Sequence, residues 1–233
     1  MLLYIVRHGE PVYDPDRLTE LGRRQAEALS HRLAVHGLDR IFTSPNGRAR
    51  ETAEPTCRAL GISPETEPWM SEDLTWSEFS NNGEEWSFMA ADCREMKSDS
   101  MTSPGARWFD SPAFARASAP ESGWQRIAAE SDRFTERLGY VRSGSVYRID
   151  RPSEERIAVF CHQGFGLTWL SYLLGIHPCL FWSSFDMTHS GVTVLHFENF
   201  ASGYTAPRCL CLSDTSHIFA SGLPLKYHGE LDF

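Results

Sequence analysis

No stretch of the 233 residues approaches the roughly 18 consecutive apolar residues that a membrane helix needs. The opening run Met1 to Val6 meets Arg7 too soon to act as a signal peptide. The sequence therefore predicts a cytoplasmic protein that does not engage a membrane. Basic residues are in the minority: 22 Lys and Arg stand against 31 Asp and Glu, a formal net charge of -9. That balance excludes binding to nucleic acid or anionic lipid through a general basic field, so any anion site has to be local. Familiar catalytic and nucleotide motifs are missing too. There is no Gly-x-x-x-x-Gly-Lys-Ser/Thr loop, no Gly-x-Ser-x-Gly elbow and no His-Glu-x-x-His helix. Gly164-Phe165-Gly166 lacks the third glycine of a dinucleotide fingerprint, because Trp169 stands in its place. The six cysteines are scattered through a chain too large to need stapling, which predicts free thiols, and Cys209-x-Cys211 has no second pair to complete a metal site. Internal repeats and low-complexity tracts are also lacking.

What the sequence does contain is an alternation of short apolar runs and helical patterns. Leu2 to Val6 is rich enough in β-formers to be a buried strand, and it stops at Arg7-His8-Gly9. Thr19 is placed to cap a helix whose Leu21, Leu29 and Leu33 share one face, ending near Gly37. Asp39 to Thr43 reads as a second strand, and Ser44-Pro45 as the N-cap and first position of a helix that runs past Arg48 and Thr52 to Leu60-Gly61. Arg156 to Cys161 reads as a third strand ending at His162-Gln163-Gly164, followed by an apolar helix from Leu167 to Leu174. Gly191 to Phe197 and Arg208 to Leu212 read as two further strands. This order predicts one α/β domain over residues 1–233, with a mostly parallel central sheet and helices on both faces. Residues 73–125 break the alternation with Trp76, Phe79, Trp86, Phe88, Trp108, Phe109, Phe114 and Trp124 set among Ser, Pro and acidic residues. They read as a helical insertion whose aromatics form its own core, with a lid over a pocket as the second reading.

In an open parallel sheet, ligands bind at the C-terminal ends of the strands. Two histidines emerge there: His8 after the first strand and His162 after the third. A neutral imidazole is an able nucleophile and can accept a phosphoryl group covalently, which divides one hard displacement into two easier ones. Arg7 adjoins His8, and Arg48 falls in the first turn of the second helix, where backbone N–H groups and the helix dipole also favour an anion. Taken singly, each of these residue types is more often structural. Their joint placement at strand ends and a helix start points to a phosphoryl site, one that neutralises charge by Arg and His and calls for no metal or cofactor.

Those same residues carry a resemblance. Val6-Arg7-His8-Gly9-Glu10 resembles the Arg-His-Gly-Glu signature of the histidine phosphatase (phosphoglycerate mutase-like) superfamily, branch 1. Leu18 to Ala26 is similar to the helix opening that follows it, Ser44-Pro45-Asn46-Gly47-Arg48-Ala49 to the Ser-Pro-x-x-Arg-Ala segment, Phe160 to Gly164 to the segment of the second histidine, and Leu212 to His217 to a C-terminal segment. The resemblance implies a three-layer α/β sandwich and phosphomonoester hydrolysis of a small phosphorylated substrate. His8 would be the nucleophile, Arg7, Arg48 and His162 the phosphate pocket, and an acidic residue would protonate the leaving oxygen. Trp69-Met70-Ser71-Glu72 best matches the family's apolar-x-Glu pattern, so Glu72 is the first choice for that acid and Glu78 the second. The chain departs from the pattern at Pro11-Val12-Tyr13-Asp14, where a carboxylate replaces a neutral amide, and at Gln163, where small residues are usual. A mutase acting on phosphoglycerate is the nearest rival and would need extra cations, in which residues 73–125 are poor. A phosphate-binding module without turnover is the third reading.

Overall fold

The computed structural model describes residues 1–227 and 231–232, with side chains to residue 225; residues 228–230 and 233 of the predicted 1–233 span lie outside the described residues. Six strands build the main sheet: β1 Leu2–Arg7, β2 Arg40–Thr43, β3 Glu65–Thr66, β4 Arg156–Cys161, β5 Val192–His196 and β6 Arg208–Asp214. They lie in the order β6-β5-β1-β4-β2-β3, and every neighbouring pair from β1 to β3 is parallel. Strand β5 runs antiparallel to β1, and β6 antiparallel to β5. This is the mostly parallel sheet that the sequence predicts, with the two-residue strand β3 as an addition no periodicity could announce.

Both faces of the sheet are covered. Val6, Ile41, Ala158 and Phe160 pack with Leu29 and Leu33 of helix α1 (Glu20–Ala34) and Ala53 of helix α2 (Gly47–Leu60). Leu3, Ile5, Phe42 and Val159 face the other way, onto Phe79 of α3 (Glu72–Phe79), Ile127 and Phe134 of α4 (Pro120–Arg137) and Phe165 and Trp169 of α5 (Gln163–Leu174). Successive strand residues point to opposite faces, so a run such as Leu2 to Val6 that is apolar throughout is what a strand buried on both sides requires.

Helix α1 is capped as predicted, with the Thr19 hydroxyl accepting from Gly22 N. Helix α2 begins two residues later than expected: its N-cap is Asn46 and its first residue Gly47, so Ser44 and Pro45 precede the helix. The Ser44 oxygen accepts from Asn46 N at 3.3 Å, in the turn before the helix, and its hydroxyl is otherwise held against His162 and Asn46 Oδ1. Gly61 closes α2 in the left-handed conformation that favours glycine (φ 68°). Helix α5 starts at Gln163, four residues before the predicted Leu167, immediately after the second histidine.

Residues 73–125 form short helices and one small hairpin, Ser80–Asn81 with Glu85–Trp86, between α3 and α4. Phe79, Phe88, Trp108 and Phe114 are buried there, and Phe88, Trp108 and Phe114 pack around the ring of Trp182. These four are buried, but in the main core beside Leu3, Ile5 and Trp182 and not in a separate core of the insertion, because Trp182 from outside the segment packs among them; Trp76 and Trp86 line the cavities described below. A second, three-stranded sheet joins Tyr140–Ser143, Val146–Ile149 and Tyr204–Thr205 beyond α4. Among the described residues no helix is long and apolar enough to cross a membrane.

Candidate active site

Parallel pairing sets the two histidines side by side. Arg7 is opposite Cys161 in the β1–β4 register, so the next residues, His8 and His162, leave the sheet together at its C-terminal edge. Their rings lie 5.2 Å apart between centroids. His8 Nδ1 is 2.7 Å from the Gly9 carbonyl oxygen. A carbonyl only accepts, so Nδ1 carries the proton and Nε2 keeps its lone pair. Burial, then His162, Arg7 and Arg48, hold the His8 pKa well below the ordinary histidine value. The ring is thus neutral near pH 7, with one nitrogen unprotonated.

A cavity of about 530 Å³ opens on His8 and is lined also by Arg7, Arg48, Glu72, Asp16 and Asn46. Arg7 donates to the Met187 carbonyl and, at 2.9 Å, to His189 Nε2. His162 is buried; its Nε2 lies 2.7 Å from the Ser44 hydroxyl, which itself donates to Asn46 Oδ1 at 3.0 Å. The Ser44 oxygen therefore accepts from His162 Nε2–H, and His162 Nδ1 is left with no hydrogen-bond partner. Burial, with Arg48 and Arg7, also keeps His162 well below the usual histidine range.

Glu72 is buried at the start of α3 and reaches across to the start of α5. Its Oε1 accepts from Gly164 N and its Oε2 from Phe165 N, each at 2.8 Å. Burial pushes its pKa up, while those two amides, Arg48 and Arg7 pull it down; the net direction is upward. Asn46 fixes the backbone there, its Oδ1 accepting from Glu72 N at 3.1 Å. Glu78, the second choice for the acid, is held by Arg126 in a two-pronged ion pair (2.7 and 2.6 Å) and does not line the cavity.

Three features of the site are not carried by the sequence pattern. Asp14, the carboxylate expected to meet the phosphate side, is exposed. Asp16 is there instead: its Oδ2 accepts from Gly47 N at 2.6 Å and its Oδ1 from the Arg48 guanidinium at 2.8 Å. The N-terminus of α2 that the sequence assigns to an anion thus already holds a carboxylate of the chain itself. Asn46 links the starts of α2 and α3, and His189 is 5.6 Å from the His8 ring. Position inside Ser44-Pro45-Asn46-Gly47-Arg48 was a usable signal for Asn46. For Asp16 and His189, both placed by turns, no local pattern exists. The six cysteines are free, and among the described residues no three His, Cys, Asp or Glu side chains gather as a metal site would require.

A parallel α/β sandwich that gathers two histidines and two arginines at the C-terminal strand ends defines a phosphoryl-handling class of protein. Residues 3–204 match the family model of the histidine phosphatase superfamily (branch 1), and the chain belongs to that superfamily. Over 79 residues it is 34% identical to a probable phosphoglycerate mutase GpmB of Yersinia enterocolitica, a match covering 30% of this chain and only 37% of that protein's length. Among solved structures it is similar to a phosphoserine phosphatase of Entamoeba histolytica in complex with 3-phosphoglyceric acid, with a TM-score of 0.63 and 16% identity over 93% of this chain and 98% of that one. It is also similar to the alpha-ribazole phosphatase of Shigella flexneri, with a TM-score of 0.58 and 18% identity over 92% of this chain and 97% of that one. At such identities these likenesses show the fold.

Proposed function

We propose that this chain hydrolyses phosphomonoesters in two displacements at His8. The observation that carries the reading is the hydrogen bond from His8 Nδ1 to the Gly9 carbonyl, which leaves Nε2 unprotonated in a cavity that Arg7 and Arg48 also line. In the first step the Nε2 lone pair attacks phosphorus, the bond to the ester oxygen breaks, and Glu72 gives its proton to that oxygen. In the second, water attacks the phosphohistidine, Glu72 takes the proton from the water, and the P–N bond breaks to release phosphate and His8. Each Glu72 oxygen uses one lone pair for a backbone amide, which leaves another for the proton. A bound phosphoryl anion offsets the burial that keeps His162 neutral, so that its Nδ1 becomes a donor to a phosphoryl oxygen.

Arg7, Arg48 and His162 are the proposed phosphate-binding set, and His8, Glu72 and His162 the proposed catalytic set. None of the steps needs a metal or cofactor. Residues 73–125 supply Trp76, Glu84, Glu85 and Trp86 to the outer walls and are the segment to which we assign substrate selection. The six free thiols suit a cytoplasmic setting. The mutase reading would require cations around the substrate's second acid group, and the outer walls carry Glu10, Glu84 and Glu85 there. Hydrolysis of a generic aryl phosphate tests the proposal: the native protein should turn it over at the same rate with and without a chelator, and His8→Ala should not turn it over at all. A native protein that binds phosphate and turns over neither this ester nor phosphoglycerate would leave only a binding module.

A further inference from the structure

A second cavity of about 640 Å³ adjoins the one at His8, and the two share Arg7, Tyr13, Trp76, Trp86 and Gln163 in their walls. Gly164 N donates to Glu72, the proposed proton donor to the leaving oxygen, and the same Gly164 touches Trp86, so that acid stands beside the wall the two cavities share. Three of the five shared residues are aromatic. Trp76 meets Trp86 edge to face, with centroids 4.7 Å apart and planes at 86°. Behind it, Trp86 stacks on Phe88 at 5.1 Å, and Phe88 stacks on the buried Trp182 at 4.8 Å. Trp86 also rests on the backbone of Gly164, where an added Cβ would come within 2.4 Å of the ring. That contact holds the indole beside the amides that bind Glu72. Tyr13, 67% exposed with the Arg48 guanidinium 5.3 Å from its ring centroid, and Met89, 41% exposed, add further apolar surface.

Charge in the outer cavity is one-sided. Among the described residues its acidic members are Glu10, Glu84 and Glu85, and its basic ones are Arg7, which donates to the Met187 carbonyl and to His189, and His189 itself. Arg116 pairs with Glu84 at 2.9 Å and lies 3.7 Å from Glu85, so one guanidinium serves two carboxylates. Glu10 accepts from the Thr19 hydroxyl, a neutral donor. A leaving group with its own carboxylate or second phosphate would enter this space against three carboxylates, and among the described residues the one guanidinium in its wall is Arg7, which the phosphoryl group takes.

We infer that the substrate class is a phosphomonoester whose leaving group carries an aromatic ring and no acid group, the ring lying against Trp76 and Trp86 with Tyr13 beside it. This rests on the hydrolase reading above. Three alkyl esters with similar leaving oxygens separate the two: 2-phenylethyl phosphate, glycerol 1-phosphate and 3-phosphoglycerate. The native protein should show kcat/KM about tenfold or more higher for 2-phenylethyl phosphate than for glycerol 1-phosphate, the worth of one well-placed ring, with 3-phosphoglycerate lowest. Trp76→Leu and Tyr13→Ala should each narrow the first ratio; Tyr13 is exposed enough that its loss spares the fold. Equal kcat/KM for the three esters in the native protein, or a ratio unmoved by both substitutions, overturns the inference and leaves the hydrolase intact. Turnover of the aryl phosphate but of none of these three overturns the inference alone, and turnover of neither overturns both.

Discussion

Asp16 places a negative charge beside Arg48, one of the proposed phosphate-binding residues, pairing with its guanidinium and capping α2 through Gly47 N. The pairing orients the guanidinium, yet it subtracts charge from the pocket and so weakens the hold on phosphate, the product as well as part of the substrate. Asp16→Asn removes the charge and keeps one acceptor oxygen, enough for the cap to Gly47 N, while the bond to Arg48 is given up. Inhibition by inorganic phosphate should then tighten about tenfold, the scale of one charge-assisted contact; inhibition that stays the same would mean the carboxylate is not felt at the phosphoryl position. Glu72 gives a different signature. Glu72→Gln keeps the side-chain volume and loses the proton, so kcat/KM, which is set by the first displacement, should fall by about a hundredfold or more on alkyl phosphates and much less on aryl phosphates, whose oxygen leaves without one. An equal loss of kcat/KM on both would contradict proton donation by Glu72.

Secondary-structure elements position these residues, and one behind the site offers a test by stability. His217 is the second residue of the helix Ser216–Ala220, and its Nε2 lies 2.8 Å from the Ser190 hydroxyl, while Ser190 N donates to the His8 carbonyl at 3.0 Å. Burial, and after it Arg32, brings the His217 pKa down from 6.5 to about 4, with Asp214 opposing. Between those values the unfolded chain binds a proton that the folded one does not, so stability is complete above about pH 6.5 and is lost as pH falls toward 4. His217→Gln should therefore lose less of its Tm than the native protein when pH is lowered from about 7 to about 5. An equal loss in both proteins would contradict this account. Strands β1, β2 and β4 were legible because Leu2 to Val6, Ile41-Phe42 and Ile157 to Cys161 are consecutive apolar runs, and α1 because Thr19 is a true cap. Other boundaries were not. Ser44 and Pro45 have the composition of a helix start, but Ser44 is engaged by His162. The two-residue β3 has no period to detect, and the hairpin Tyr140–Ser143 with Val146–Ile149 lies in a stretch with no motif to draw attention to it.

At the scale of the whole molecule, the parallel sheet explains why so much of the site could be read in advance. It brings the ends of β1 and β4 together from positions 7 and 161, so two histidines far apart in sequence become neighbours by topology alone. The same reasoning gives no access to Asp16, which reaches α2 from a loop, or to His189, which comes from the turn before β5 and meets Arg7. Nor does topology determine the outer cavity, whose walls depend on how Trp76, Trp86 and Met89 of residues 73–125 fold back over the sheet's edge. The central claim, that phosphorus is transferred to His8, is tested most directly by stopping turnover of a labelled phosphomonoester with denaturant and mapping the label on the protein. The account predicts an acid-labile, base-stable phosphoryl group on the peptide that contains His8 and none in His8→Ala. Label on another residue, or steady turnover with no labelled protein at any time, would contradict it.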